Sequence, residues 1–135
     1  MDIDKALSIS ASGMAAQSSR LRVIAENLAN QDTTSSTSGG DPYRRKTISF
    51  QDRMDRTLDV ERVQVDQIGQ DMSAFPTRYD PSNPAADANG YVKLPNVNTF
   101  VEMMDMREAD RTYSANLSVM QSTQNMLDRT IELLK

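Results

Sequence analysis

The chain has 135 residues and a formal net charge of −4, and no segment is basic enough to attract nucleic acid. Aromatic residues make up only 5% and Trp is absent, so large core-forming side chains are scarce for a single globule. The absence of Cys and His excludes disulfides, thiolate chemistry and imidazole-based catalysis or metal binding.

The first residues lack the features of a secretory signal. Asp2 and Asp4 stand where a signal peptide needs positive charge, and no long apolar stretch follows them. No run approaches the roughly 18 apolar residues of a membrane-spanning helix. If the protein leaves the cytoplasm, we therefore expect it to do so without a cleaved signal peptide.

Residues 3–30 are predicted to form one long amphipathic helix. Apolar residues recur at alternating steps of four and three once Ser10 and Gln17 fill the gaps, which is the heptad spacing of a packing seam. Polar residues on such a seam restrict its register and the number of partner helices. The predicted seam consists of Ile3, Leu7, Met14, Leu21, Ile24 and Leu28.

The central region is predicted to hold the non-helical structure of the chain. Ser, Thr and Gly end the first helix and favour a flexible loop over residues 31–41. β-Branched and aromatic residues favour short strands over residues 43–50 and 58–65. Four prolines between residues 75 and 98 forbid a long helix there and favour extended chain with turns.

Residues 99–134 are predicted to form the second long helix, with the same spacing of apolar residues and with Asp110 and Gln124 as polar interruptions. Its predicted seam consists of Met103, Met106, Tyr113, Leu117, Met120, Leu127, Ile131 and Leu134. Neither predicted helix contains Pro. The two seams can pair in an antiparallel or a parallel sense.

The predicted fold is therefore mainly α. Two long terminal helices, in residues 1–30 and 99–135, form a coiled-coil-like pair, and residues 31–98 join them as an extended or short-β central region. Much of the seam would be exposed in a monomer, which favours self-assembly or co-assembly through the helices. An ordinary intramolecular helical hairpin is the alternative that the pattern leaves open.

The sequence contains no convincing catalytic, cofactor-binding or metal-binding motif. Residues 87–90 are only faintly similar to a calcium loop, because two of the essential oxygen ligands are missing, and a turn is the better interpretation. Asp80 and Asp87 would be the acid–base pair of a small hydrolase, but Asp beside Pro or Gly far more often initiates a turn. We predict that the protein is not an enzyme and needs no cofactor.

Two stretches resemble the flagellar axial protein family, which contains the rod and hook proteins. The first is Leu-Arg-Val-Ile-Ala-Glu-Asn-Leu-Ala-Asn at residues 21–30, followed by Asp32, Thr33 and then Tyr-Arg-Arg-Lys at residues 43–46. The second is Ala-Asp-Ala-Asn-Gly-Tyr-Val-Lys-Leu-Pro-Asn-Val-Asn at residues 86–98, which leads into the second helix. The Ser/Thr/Gly insertion before Tyr43 departs from the general family pattern and is similar to that of a proximal rod protein.

The resemblance implies a structural subunit of the bacterial flagellar basal-body rod. It implies export by the flagellar type III apparatus without a cleaved signal peptide, and assembly in the periplasmic space into a helical rod that transmits torque. The implied partners are other rod proteins, copies of this chain and the export apparatus, with no nucleic acid and no small-molecule substrate. Candidate subunit contacts are Tyr43, Arg44, Arg45, Tyr91, Leu94 and Pro95.

One rival assignment shares the helical pattern. Another two-helix assembly module, such as a needle or inner-rod component of a secretion apparatus, would have similar heptads. It would lack the Asn-Gly-Tyr-Val-Lys-Leu-Pro motif at residues 89–95. That motif is therefore the feature that separates the two assignments.

Overall fold

A computed structural model describes residues 3–133 of the chain. A long helix lies at each end of this range: α1 spans Ile3–Ala29 and α2 spans Thr99–Leu133. Four strands lie between them, namely β1 Lys46–Asp55, β2 Val60–Gln70, β3 Thr77–Tyr79 and β4 Tyr91–Lys93. The prediction of two long helices with a short-β central region is confirmed. Leu134, the last residue of the predicted seam, lies outside the described residues.

β1 and β2 form one two-stranded sheet, and β1 begins later than the predicted range of residues 43–50. Backbone amides just before β1 are bonded elsewhere, which explains the delay. Tyr43 N donates to Thr33 O at 3.1 Å, and Arg45 N donates to the side-chain oxygen of Asn96 at 2.8 Å. These residues therefore belong to a connection that is held against other parts of the chain.

The turn between β1 and β2 is built on Asp55. Its Oδ1 accepts a hydrogen bond from Thr57 N at 2.9 Å, a local arrangement that Asp favours in turns. Asp59 completes the turn with a φ of 53°, a left-handed conformation that Asp tolerates better than most residues. β2 consequently begins at Val60 and not at Leu58, where the sequence pattern placed it.

β3 and β4 form a second two-stranded sheet within the stretch that was predicted only as extended chain with turns. The strands are antiparallel, with the pairs Thr77↔Lys93, Arg78↔Val92 and Tyr79↔Tyr91. Gly90 has a φ of 83°, and a Cβ there would lie 2.9 Å from the Tyr79 ring, so only glycine fits without strain.

The described chain divides into two compact units. The first unit consists of residues 3–21, 48–67 and 107–133. Here α1 and α2 approach closely at Gly13, where a Cβ would lie 2.8 Å from Asn116 Nδ2. Further along α1, Arg20 lies 3.8 Å from Glu108, which precedes Asn116 on α2. The two helices therefore run antiparallel within this unit.

The second unit consists of residues 22–47 and 68–106. Its apolar core contains Val23 and Ile24 from α1, Val92 from β4 and Ala85 from the connection between β3 and β4. The loop of residues 31–41 is irregular, and Gly39 N ties it to Ala85 O at 3.1 Å. Within residues 3–133, neither helix combines the length and the apolar character that crossing a membrane requires.

Candidate assembly surface

A buried polar cluster lies in the second unit and is centred on Asn27 of α1, which is only 1% exposed. Its Oδ1 accepts hydrogen bonds from Tyr43 OH and from Lys46 N, both at 2.8 Å. Its Nδ2 donates to Lys46 O at 2.9 Å and to Glu102 Oε2 at 3.2 Å. Every polar atom of this side chain is therefore bonded, as a buried amide requires. We call Asn27, Tyr43, Arg45, Lys46 and Glu102 the Asn27 cluster.

Glu102 brings α2 into the Asn27 cluster and is fully buried, with 0% exposure. Its Oε1 accepts a hydrogen bond from Arg45 Nε at 2.5 Å. The Arg45 guanidinium also lies 3.7 Å from Asp71 and 3.9 Å from Asp105. A buried carboxylate is tolerated when it is paired and hydrogen-bonded, and Arg45 and Asn27 supply both conditions.

Asn96 extends this hydrogen bonding from the Asn27 cluster to the connection after β2. Its Oδ1 accepts from Arg45 N at 2.8 Å, and its Nδ2 donates to Asp71 O at 2.9 Å and to Ser73 Oγ at 3.0 Å. Arg44 also donates to Asp71 O, at 3.0 Å, and its guanidinium lies 4.1 Å from the centroid of the Phe75 ring. Arg44 and Arg45 are thus both engaged within the chain.

Three side chains of this region have shifted pKa values. Burial, and then the Glu26 carboxylate, raise the pKa of the Tyr43 phenol, so it stays protonated and donates to Asn27. A hydrogen bond to Glu26 at 2.6 Å raises the pKa of Lys46. The backbone N–H of Ser73 donates to Asp71 and lowers the pKa of that carboxyl. Each of the three shifts favours the form that the group already has near neutral pH, which is neutral for Tyr43, positively charged for Lys46 and negatively charged for Asp71.

The other candidate contact residues lie on or beside β4. Tyr91 is exposed and packs edge-to-face on Tyr79, with ring centroids 5.3 Å apart. Leu94 is half-buried, and its N–H donates to Pro76 O at 2.8 Å, while Pro95 is buried. Of the candidate contact residues, Tyr91 is the most exposed, so it presents the most surface to a partner.

The predicted seam of α1 divides into buried and half-buried positions. Ile24 is buried in the second unit, whereas the other five predicted positions are half-buried, namely Ile3, Leu7, Met14, Leu21 and Leu28. The buried positions of this helix are Ser10, Ala16, Val23, Ile24 and Asn27, and three of these five residues are small or polar. Small side chains at such positions allow another helix to come close, as at Gly13.

The predicted seam of α2 is largely open to solvent. Met106, Tyr113 and Met120 are half-buried, whereas Met103, Leu117, Leu127 and Ile131 are exposed. The buried positions are instead Glu102, Ala109 and Thr123. Leu127 and Ile131 lie towards the end of α2 and form an exposed apolar surface there. Such a surface usually marks a site of protein interaction.

Several residues of this region were not predicted as functional. Glu102, Asp71 and Asn96 were not among the predicted contact residues, although Asn96 lies in the family-like stretch at residues 86–98, and helical spacing favoured the apolar Met103 next to Glu102. The signal that was available is Asn27, a polar residue within the apolar face of a long helix. A buried Asn needs partners, and the sequence did not show which residues supply them.

Two segments of the chain match family models, and they contain Asn27 and Glu102 of the Asn27 cluster. Residues 7–35 match the family described as Flagella basal body rod protein, and residues 88–133 match Flagellar basal body rod FlgEFG protein C-terminal. The flagellar basal-body rod protein FlgC of Agrobacterium fabrum is 51% identical over 133 residues, which cover 98% of this chain and 96% of that protein. The chain belongs to the FlgC family of flagellar basal-body rod proteins.

More distant FlgC relatives match over the same length. The FlgC protein of Aquifex aeolicus is 42% identical, covering 100% of this chain and 99% of that protein. The FlgC protein of Bacillus subtilis is 38% identical, covering 96% of both. As a member of the FlgC family, the chain is a structural subunit of the basal-body rod.

The two aspartates of the rejected hydrolase are turn residues. Asp80 Oδ1 accepts a hydrogen bond from Ser82 Oγ at 2.8 Å, and Asp87 Oδ1 accepts from the backbone N–H groups of Asn89 and Tyr91. Within residues 3–133, no group of three or more acidic side chains is arranged to hold a metal ion. The interpretation of residues 87–90 as a turn is confirmed.

Proposed function

We propose that this rod subunit co-assembles with other rod proteins and with copies of itself into a helical, torque-transmitting structure, and that it acts without catalysis. The observation that carries the proposal is the apolar surface towards the end of α2. Leu127 and Ile131 are 37% and 46% exposed although both occupy heptad positions that are normally buried. Because rod proteins assemble with one another, we expect these side chains to be buried against neighbouring subunits.

The terminal helices are proposed to form the assembly core as a coiled-coil-like pair, with the predicted seams as its packing surface. Support comes from the antiparallel contacts at Gly13 and Arg20. Half-buried seam residues such as Met14, Tyr113 and Met120 can complete their burial against another subunit. The pair thus uses one face for its own packing and leaves the adjoining face for neighbours.

The central region, residues 31–98, is proposed to hold the ends of the two helices in register and to present contacts to adjacent subunits. Arg44 and Arg45 act in this role through internal hydrogen bonds, and Tyr91 through its exposed ring. Together with the helical segments at residues 1–30 and 99–135, this makes a three-part subunit. A charge reversal at Arg45 should therefore disturb the subunit itself before it disturbs any contact.

Delivery to the rod is proposed to use the flagellar type III export apparatus without a cleaved signal peptide, with the final position in the periplasmic space. The match to flagellar basal-body rod proteins supports this route, because subunits of that structure have to be delivered to it from the cytoplasm. Mass spectrometry of the protein recovered from rods tests it. A mature chain that still begins with Met1 or Asp2 supports the route, and a truncated start contradicts it.

The direct test of the function is quantitative mass spectrometry of basal bodies that have been washed with detergent and salt. We expect this chain at a fixed ratio to the other rod proteins, because a structural subunit occupies a fixed number of lattice positions. A strain that carries a deletion of the gene serves as the control. Rods that are complete without this chain would contradict the proposal.

A further inference from the structure

The first unit contains an open groove between α1 and β2. Its volume is about 410 Å³, and it is lined by Ser12, Ala15, Ala16 and Ser19 on the helix and by Val63 and Val65 on the strand. The helix side consists of small residues, so the groove is wide enough for aliphatic side chains from another chain. Its lining contains both apolar and polar side chains, so it offers both kinds of contact to another chain.

At one end the groove continues into a polar cleft of about 230 Å³ in the β1–β2 sheet. Arg62 and Gln64 line both spaces, and Arg53, Asp55 and Arg56 line the cleft. Arg62 is paired with Asp55 at 2.5 Å. Within residues 3–133, no carboxylate lies within salt-bridge distance of Arg53 or Arg56. The cleft therefore carries an excess of positive charge.

The end of α2 has the complementary pattern. Leu127 and Ile131 form an exposed apolar row, separated by one helical turn, and Leu133 is 87% exposed. Asp128 and Glu132 form an acidic row on the adjoining face of the same turns. Among the described residues, the last turn of α2, residues 130–133, contains no basic residue, so the negative end of the helix dipole adds to these charges.

We propose that the C-terminal end of α2 from a second copy docks in this groove. Leu127 and Ile131 lie against the small residues of α1, and Asp128 and Glu132 face Arg53 and Arg56. This inference rests on the proposed function, because it names the partner and the surface of the assembly contact. The two surfaces belong to different parts of the chain, so the contact is head-to-tail and propagates unless its rotation closes a ring.

Engineered cysteines provide the first test, since the natural chain contains no Cys that would react in the background. Ala15→Cys is placed in one full-length chain and Ile131→Cys in another, and the two are mixed and oxidised. We expect a disulfide-linked heterodimer, because the proposal brings these positions together across two copies. Ser122→Cys, on the opposite face of α2, replaces Ile131→Cys in the control and should give little product. Equal yields from the two mixtures overturn the proposal.

Charge reversal provides the second test and uses association measured by sedimentation velocity. Arg56→Glu and Glu132→Arg should each weaken self-association by about two- to fivefold, the range of an exposed ion pair. Because the reversed pair restores the attraction, the double variant should recover most of the loss. Additive losses in the double variant overturn the pairing of these two residues. Thermal melts of each variant show whether the fold is intact.

The tests separate this surface from the wider function. If Ala15→Cys crosslinks in basal bodies only to another rod protein, the second copy is the wrong occupant and the proposal is overturned, while the rod function stands. If this chain is absent from washed basal bodies, the rod function itself fails, whatever the crosslinks between purified copies show.

Discussion

Glu102 shows how one side chain joins three parts of the sequence. It lies in the first turns of α2, yet its carboxylate is bonded to Asn27 of α1 and to Arg45 just before β1. Its neighbours Met103 and Met104 are exposed, so the helix turns its charged residue inwards and its apolar residues outwards at this point. Burial of Glu102 in place of its apolar neighbours is tolerated because Arg45 and Asn27 form hydrogen bonds to its buried charge.

Glu102→Ala should therefore lower the free energy of unfolding by about 3 kcal/mol, since the variant loses the hydrogen bonds from Arg45 Nε and Asn27 Nδ2 to a buried carboxylate. Urea denaturation of the full-length chain measures the change. Glu108→Ala is the matched control on the same helix, because Glu108 is largely exposed and its pair with Arg20 is long at 3.8 Å. The control should change the stability by less than about 1 kcal/mol. Similar losses in both variants would contradict the role of the cluster.

Acid should weaken the fold through Asp71, whose pKa is lowered from 3.8 by the Ser73 backbone N–H and by Arg45. A lowered folded-state pKa contributes stability above the unfolded value, and this contribution is lost as the pH falls through the folded value. The free energy of unfolding should thus decrease below about pH 4. Asp71→Asn removes the titrating group and should make the decrease shallower. If the free energy of unfolding of the Asp71→Asn variant, measured by urea denaturation, falls as steeply at low pH as that of the unsubstituted chain, Asp71 is not the group responsible.

At the scale of the elements, the sequence predicted the existence, type and approximate bounds of both helices. The 3.5-residue repeat predicted α2 almost to its ends, and it also singled out Leu127 and Ile131. It did not predict that Glu102, Ala109 and Thr123 are the buried positions. The spacing of apolar residues reflects burial within the chain and burial against partner proteins alike. It therefore does not identify which face of a helix packs within one chain.

The strands were harder to place for a different reason. β1 and β2 are only partly buried, so their apolar residues do not alternate cleanly. The start of β1 depends on Asn96, which takes the amide of Arg45 out of reach of a strand. That contact joins residues far apart in the sequence, and no local pattern signals it.

The close approach of the helices at Gly13 makes this position sensitive to size. Gly13→Leu should lower the free energy of unfolding by about 1–3 kcal/mol, because its side chain would occupy the place of Asn116. Thermal melts followed by circular dichroism measure the loss. Asn116→Ala in the same chain makes room and should recover part of it. A neutral Gly13→Leu variant, or no recovery in the double variant, would show that the helices do not depend on this contact.

For the molecule as a whole, the proposed function implies that folding and assembly use different side chains. The buried positions are mainly small or polar, whereas many large apolar residues of α2 remain exposed. Small-residue packing and hydrogen bonds therefore account for much of the buried interior, and the exposed bulky side chains are available for the neighbours that we propose. Because few large side chains are needed in its interior, a composition poor in aromatic residues is sufficient for the chain to fold.

Leu127→Asp should separate the two roles. The side chain is 37% exposed, so the free energy of unfolding should change by no more than about 1 kcal/mol. Assembly should be abolished, because the charge would have to be buried against a neighbour. The measurements are the thermal melt of the purified chain and the motility of a strain that carries the variant. Ser122→Asp is the control and should leave motility intact, and a motile Leu127→Asp strain would contradict the assignment.

The span of the Asn27 cluster has a consequence for the order of folding. Asn27 and Glu102 are 75 residues apart, and Arg45 and Glu102 are 57 apart. Closing such long loops costs conformational entropy before any bond repays it, so these contacts form late. A chain that emerges from its N-terminus cannot complete the cluster until the start of α2 is free. In the export that we propose, the topology would delay the finished fold until most of the chain has passed through the export apparatus.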